Sequence, residues 1–272
     1  ILSVVMANCP LCKNSNHKLQ FKDNGYNVLT CQTCALMFID PYPPLQDHYD
    51  TVKDYSHGDM SILGAEKHYQ YEKQFYKKYF DPIYKCCKTS ESILDVGCGT
   101  GYLLERLQKS PNLKRVGLEL NESRAKLARN HAQCEILETP VESLEHSPFD
   151  VITLINVLSH IPDFDLLFNS FRRLLKPGGR LILKVGEVSS DVQQNDEMDW
   201  CIPDHLHFLG LETLQYIGKK YGFEILHHQR QPYYEDLFSK ERWRSPGRSK
   251  VKNLIKTILV NTPFALWTLK QL

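Results

Sequence analysis

Three groups of residues in this chain have types and spacings that could do chemistry. The first is Cys9-Pro-Leu-Cys12 with Cys31-Gln-Thr-Cys34, two C-x-x-C pairs separated by eighteen residues. Four thiolates at that spacing reach one tetrahedral zinc ion and leave it no open position, so the expected role is structural. The second is Ile93-Leu-Asp-Val-Gly-Cys-Gly-Thr-Gly101, an apolar strand that passes an acid and enters three closely spaced glycines. Glycines at such a turn tolerate unusual dihedrals and let a ligand approach the backbone, which reads as a nucleotide-cofactor cradle. The third is Asp204-His205-Leu-His207-Phe208, with His160 upstream. An imidazole can take a proton from a reacting group or can only pack and hydrogen-bond, and for His205 and His160 both readings stay open.

A cradle needs a strand before it and a helix behind it. Ile93 to Val96 supplies the apolar run, and Tyr102 to Leu107 has apolar residues at helical spacing. A dinucleotide fingerprint requires G-x-G-x-x-G. Here the third glycine comes one residue early, and Tyr102 stands in the dinucleotide position. Arg115 to Glu119 is a second strand that ends in an acid, eighteen residues past Gly101. A carboxylate there, followed by Leu120, can accept hydrogen bonds from ribose hydroxyls. A helix from about Glu122 to Asn130 and a short strand at Cys134 to Leu137 follow. Phe149 to Ile155 forms the fourth strand, and it brings Asn156 to the C-terminal end, where ligands of open α/β sheets sit. Asp163 caps a helix that Leu175-Lys-Pro-Gly-Gly179 stops. Arg180 to Val185 is the fifth strand and leads towards Glu187. A helix over about Leu211 to Tyr221 and a strand at Phe223 to Leu226 close the alternation.

The stretch Asp95-Val-Gly-Cys-Gly-Thr-Gly101 resembles motif I of class I S-adenosylmethionine-dependent methyltransferases, and residues 89 to 228 are similar to that family's core. The resemblance implies an α/β fold with a Rossmann-like, mainly parallel, seven-stranded sheet, to which the cysteines add a small N-terminal zinc ribbon. It implies S-adenosylmethionine as cofactor, held by Asp95, Gly97, Cys98, Gly99, Gly101, Glu119, Leu120, Val141 and Asn156. Where the family offers an acid to adenine this chain has Pro140, so the contact falls to the Val141 backbone, Glu138 or Glu142. The zinc module is similar to one found on methyltransferases of sugar, polysaccharide and natural-product pathways. The implied reaction is therefore methyl transfer to a small molecule or glycan-type precursor, at oxygen. A hydroxyl acceptor needs a base; His205 is the first candidate and His160 the second. Two other readings stay open: a zinc-module RNA base methyltransferase, and a non-catalytic methyltransferase-fold protein that binds a partner.

Composition bounds these readings. The chain has 272 residues, 42% of them hydrophobic, enough for a full core. The expected organisation is a zinc-binding module over 1–45, a helical connecting segment over 46–88, a methyltransferase domain over 89–232 and a basic amphipathic tail over 233–272. His57, His68 and Tyr69 in the connecting segment are candidate visitors to the site, although helices packed on the main domain are the plainer expectation. The net charge of +1 argues against nucleic acid as partner. It hides an asymmetry, because from Leu237 onward eight basic residues face the single acid Glu241. Such a tail either lies on an anionic membrane surface, binds a protein partner or packs on the catalytic domain; lysines and Pro263 interrupt it too often for a membrane span. Nine cysteines, four of them paired by spacing, fit a reducing compartment, and the apolar Ile1 to Val5 is too short for a secretory signal. The expected location is cytoplasmic.

Overall fold

A computed structural model of the chain describes residues 8–43, 62–75, 77–186, 188 and 200–230. The N-terminal residues form a ribbon of β1 (His17–Asp23), β2 (Tyr26–Cys31) and β3 (Met37–Asp40), paired antiparallel in that order. Asn24 and Gly25, both at positive φ, make the tight hairpin turn between β1 and β2. Every residue of β3 is buried, which a ribbon of this size achieves only by packing against something larger.

Two helices follow, α1 (Ile62–Phe75) and α2 (Lys77–Cys87), within the stretch expected to be helical. The larger sheet consists of β4 (Ser92–Val96), β5 (Lys114–Leu118), β6 (Glu135–Leu137), β7 (Phe149–Ile155) and β8 (Leu175–Lys184). Its order is β6-β5-β4-β7-β8 and every pairing is parallel. All five residues of β4 are buried, as a central strand covered on both faces requires. The crossovers run through α3 (Tyr102–Arg106), α4 (Glu122–Ala132) and α5 (Phe164–Leu174). The side chain of Asn121 caps α4 and that of Asp163 caps α5. β8 starts directly after α5, so the Pro-Gly-Gly stretch lies inside a strand as well as ending a helix.

The implied seven strands are five among the described residues. Phe223 to Leu226 is irregular instead of a strand. The last helix, α6 (Leu211–Tyr221), ends on Gly222 at φ 76, and the Phe223 N–H turns back to the Gly218 carbonyl. That cap uses the backbone donor a strand would need, and Ile225 and Leu226 are 42% and 77% exposed, with no buried face to hold them extended. Residues to Ile225 form one compact unit and Leu226–Leu272 a second, described only to Arg230. The expectations for His57, Glu187 and the basic tail lie outside the described residues. Among those residues no helix is long and apolar enough to cross a membrane.

The short strand β9 (His207–Phe208) returns from the far connection and pairs with β3, Phe38 opposite His207 and Met37 opposite Phe208. One hydrophobic cluster consequently contains Cys9, Cys31, Cys34 and Phe38 together with Leu94, Leu154, Phe168 and Leu209. The ribbon is built into the core of the α/β unit.

At Gly101, with φ 84, a Cβ would lie 2.9 Å from the Ala128 Cα on α4. Gly101→Ala is therefore expected to destabilise the fold by roughly 1–3 kcal/mol through overpacking. Chemical denaturation measures this; unchanged stability would mean that α4 does not press on the turn.

Candidate active site

The glycine turn leaves the C-terminal end of β4, at the centre of the parallel sheet. Gly97, Gly99 and Gly101 have φ of 67, 56 and 84, a left-handed region that side chains resist. Their surroundings differ. A Cβ at Gly97 would strike the Val157 side chain at 2.4 Å, and one at Gly101 would strike α4, whereas a Cβ at Gly99 meets nothing within 4 Å. Two of the glycines close packing, and the third borders open space.

Glu119 holds that turn in place. Its Oε2 accepts the Gly99 N–H at 2.9 Å and its Oε1 the Asn121 N–H at 2.9 Å, so the carboxylate ties the end of β5 to the glycines. Each oxygen keeps a further lone pair for a ribose hydroxyl. Cys98 is buried, and its N–H is bound to the Leu118 carbonyl. Leu120 is half-buried beside it, Val141 is buried at the start of a short 3-10 turn, and Glu142 is half-buried. Glu138 is drawn away into an ion pair with Arg129. Asn156 directly follows β7 at φ 56, exposed, with its N–H on the Lys184 carbonyl and its Oδ1 accepting from Lys184 Nζ.

Asp95 lies opposite Thr153 in the pairing of β4 with β7 and accepts its hydroxyl at 2.6 Å. Burial pushes the Asp95 carboxyl up to about 7, against the Thr153 hydrogen bond and helped by the charges of Glu72 and Glu119. Glu119 is raised in turn, mainly by burial, with the Glu72 charge adding. Three acids thus surround the turn, and one of them, Glu72 of α1, sequence reasoning missed. Glu72 Oε2 accepts the Thr100 hydroxyl at 2.7 Å, so α1 lies over the cradle. The missed signal is helical phase: Ala65 and Tyr69 are buried, and Glu72 follows on the same face. Tyr69 donates to Glu105 and stacks on His131, while His68 stands 3.7 Å from Glu72.

The histidines sit at the next strand's end. His160 belongs to a 3-10 turn after β7, and His205 comes from the connection that becomes β9. The Leu206 N–H bonds to the Ser159 carbonyl, and the two imidazole centroids are 4.7 Å apart. His160 Nδ1 lies 2.9 Å from the Asp204 carbonyl and His205 Nδ1 3.0 Å from that of Trp200. A carbonyl only accepts, so each Nδ1 carries a proton and donates it there. His207 serves the packing instead. It is fully buried, its Nε2–H donates to the Leu158 carbonyl, and Nδ1 faces the Tyr42 hydroxyl.

The four cysteine sulfurs lie within 4.8 Å of one another, with Cys9 and Cys34 at 3.6 Å and Cys12 and Cys31 at 3.4 Å. Bonds of ~2.3 Å to a tetrahedral ion would set sulfurs about 3.8 Å apart, whereas a disulfide needs ~2.05 Å. A hydrogen bond from Cys34 pulls Cys9 down to about 5, while burial pushes Cys12 up to about 11. The Cys9 thiolate forms readily, whereas Cys12 and Cys34, whose thiols are pushed up, need a cation beside them to ionise.

A glycine-lined turn at the C-terminal edge of a parallel sheet, rimmed by acids, defines an α/β cofactor-binding protein. The chain belongs to the methyltransferase domain family, whose model matches residues 67–228. It is similar to the ubiquinone biosynthesis O-methyltransferase of Coxiella burnetii (strain RSA 493 / Nine Mile phase I), 36% identical over 98 residues covering 33% of this chain and 41% of that protein. The protein of that name from Idiomarina loihiensis is 34% identical over 100 residues, 34% of this chain and 40% of its own length. The matched segment thus spans about two fifths of these relatives' length. Among solved structures, the [4+2]-cyclase SpnF shares 23% identity at a TM-score of 0.48, covering 55% of this chain and 57% of that one.

Because the buried Asp95 carboxyl stands at about 7, a cationic ligand at the turn favours its ionised form. Affinity for such a ligand should be full above that pH and fall as pH drops below it, with proton release on binding near neutrality. Calorimetry in buffers of differing ionisation enthalpy reads the proton count. No proton release would mean that Asp95 does not sense the ligand.

Proposed function

We propose that this chain is an S-adenosylmethionine-dependent methyltransferase acting on an oxygen of a small molecule or of a sugar or natural-product precursor. The observation that carries the reading is the open space over Gly99 inside a ring of three acids. Bound S-adenosylmethionine would bring a sulfonium and an ammonium to that ring and supply an electrophilic methyl group. A phosphate-bearing dinucleotide fits an acid-rimmed turn poorly, because like charges repel. The names of the relatives support oxygen as the acceptor atom.

In this reading Glu119 and the glycine backbone orient the nucleoside, and Asp95 and Glu72 balance the cofactor's positive charge. His205 accepts the acceptor's proton on Nε2, while the Trp200 carbonyl holds its Nδ1–H. Methyl transfer is an in-line displacement, so most of the rate comes from alignment, to which a correctly placed base adds ~10²–10⁴. The four thiols hold zinc as a structural ion. Through β3 and β9 that ion steadies the backbone carrying His205.

Calorimetry with S-adenosylmethionine tests the cofactor. Gly99→Val should weaken binding at least ~10-fold, because the side chain enters the open space and strains a positive φ. Failure of the folded, zinc-loaded wild type to bind would overturn the enzyme reading. His205→Ala should lower turnover by about 100-fold with cofactor affinity kept, and equal activity on an identified acceptor would exclude it as base.

Cys31→Ser should lose zinc and soluble yield, and any folded remainder should lose turnover more than cofactor affinity. Elemental analysis that found one zinc per variant chain would reject the four-thiol site.

A further inference from the structure

Three carboxylates stand at the glycine turn. Asp95 lies in β4 and Glu119 directly after β5, whereas Glu72 comes from α1, outside the sheet. Its Oε2 accepts the Thr100 hydroxyl at 2.7 Å. The grip on Thr100 is two-sided, because that residue is fully buried and its carbonyl accepts from His131 Nδ1 of α4 at 3.2 Å. His131 is itself stacked on Tyr69 of α1, so the carboxylate of Glu72 is held in place. The placement is electrostatically unfavourable twice over. The charges acting on Asp95 are those of Glu72 and Glu119, both negative, and Glu119 feels Glu72 as well, against Arg124. Glu72 also stands in the last turn of α1, where the helix dipole disfavours an anion. Its side chain is 14% exposed, so water screens it little, and His68 Nε2 at 3.7 Å is too far for a hydrogen bond. The Thr100 hydroxyl needs only an acceptor, which a neutral amide supplies equally; the negative charge has no use in that bond.

We propose that Glu72 is a specificity-determining residue, whose charge makes the turn prefer the cationic methyl donor over the neutral thioether product. This rests on the turn being the S-adenosylmethionine site. Methyl transfer forms the C–O bond from a lone pair of the acceptor and breaks the S–C bond, whose electron pair stays on sulfur; the acceptor's proton leaves to base or water. The sulfonium thereby becomes a thioether, and the ligand loses one positive charge. Its attraction to the carboxylates weakens at the step where the product has to leave.

The test is calorimetry on the full chain with three ligands: S-adenosylmethionine, S-adenosylhomocysteine and sinefungin, which carries an amine in place of the sulfonium centre. Glu72→Gln keeps an acceptor for Thr100 and removes only charge. It should weaken both cationic ligands at least ~10-fold and leave the thioether unchanged, since one facing charge at short range is worth a factor of that size. Equal loss for all three would leave Glu72 a purely structural grip and overturn the proposal, as would no loss for any. Glu66→Gln is the control on the same helix, where the carboxylate lies 3.6 Å from His131 Nε2. It should weaken all three ligands alike or none; a selective loss equal to that of Glu72→Gln would make the preference a property of the helix's overall charge and overturn the assignment.

Chemical denaturation without ligand is the second readout. Glu72→Gln should unfold at a higher midpoint than the wild type, because it removes like-charge repulsion and an acid from the last turn of α1. A lower midpoint would mean that the charge serves the fold and would overturn the proposal. Failure of the folded wild type to bind any of the three ligands would be a failure of the cofactor reading. Binding by the wild type with no selective loss in Glu72→Gln would be a failure of this inference alone.

Discussion

Two facing residue pairs, Met37 with Phe208 and Phe38 with His207, join the cysteine ribbon to the connection that carries His205. The arrangement of the candidate site depends on that junction. The described end of the connection between β8 and α6 has only the two-residue β9, so its backbone finds hydrogen-bond partners on other elements. It finds them at β3, where the Ile39 N–H meets the Leu206 carbonyl, and at the turn after β7, where the Ser159 carbonyl accepts the Leu206 N–H; the His207 side chain adds a bond from its Nε2–H to the Leu158 carbonyl. The ribbon's apolar side chains enter the main core in return. A small ribbon with little burial of its own gains stability from the α/β unit, and the unit gains a fixed position for a loop.

Electrostatics shape the other half of the site. Glu72, Asp95 and Glu119 reach the glycine turn from a covering helix and from two neighbouring strands. Burial opposes ionisation of Asp95 and Glu119, and each of the three accepts from a specific hydroxyl or backbone N–H. Such a cluster is costly without a cation, which is the physical reason that the turn suits a sulfonium cofactor better than a pyrophosphate. The polar cavity of about 390 Å³ beside Asp150 and Lys176 lies at the N-terminal ends of β4, β7 and β8, away from this chemistry.

Much was legible in the residue order. The spacing of Gly97, Gly99 and Gly101, the caps at Asn121 and Asp163 and the alternation of strand and helix are local properties, and short-range sterics and hydrogen bonds decide them. The two C-x-x-C pairs likewise needed only a hairpin to bring four sulfurs together. The strand expected at Phe223 to Leu226 failed because its apolar pattern carried no information about whether a buried face was available; the helix cap took its backbone first.

The sequence by itself determined the cradle, the cysteine cluster and the parallel α/β class, since each is written in neighbouring residues. Only the tertiary structure decided which distant side chains share a site. Glu72 reaches Thr100 across 28 positions and His160 meets Asp204 across 44, contacts made by helix packing and by β9 joining β3. Burial follows the same rule. Asp95 stands in the sequence as an ordinary acid and becomes a group near neutrality only when two sheet faces and two other carboxylates close around it.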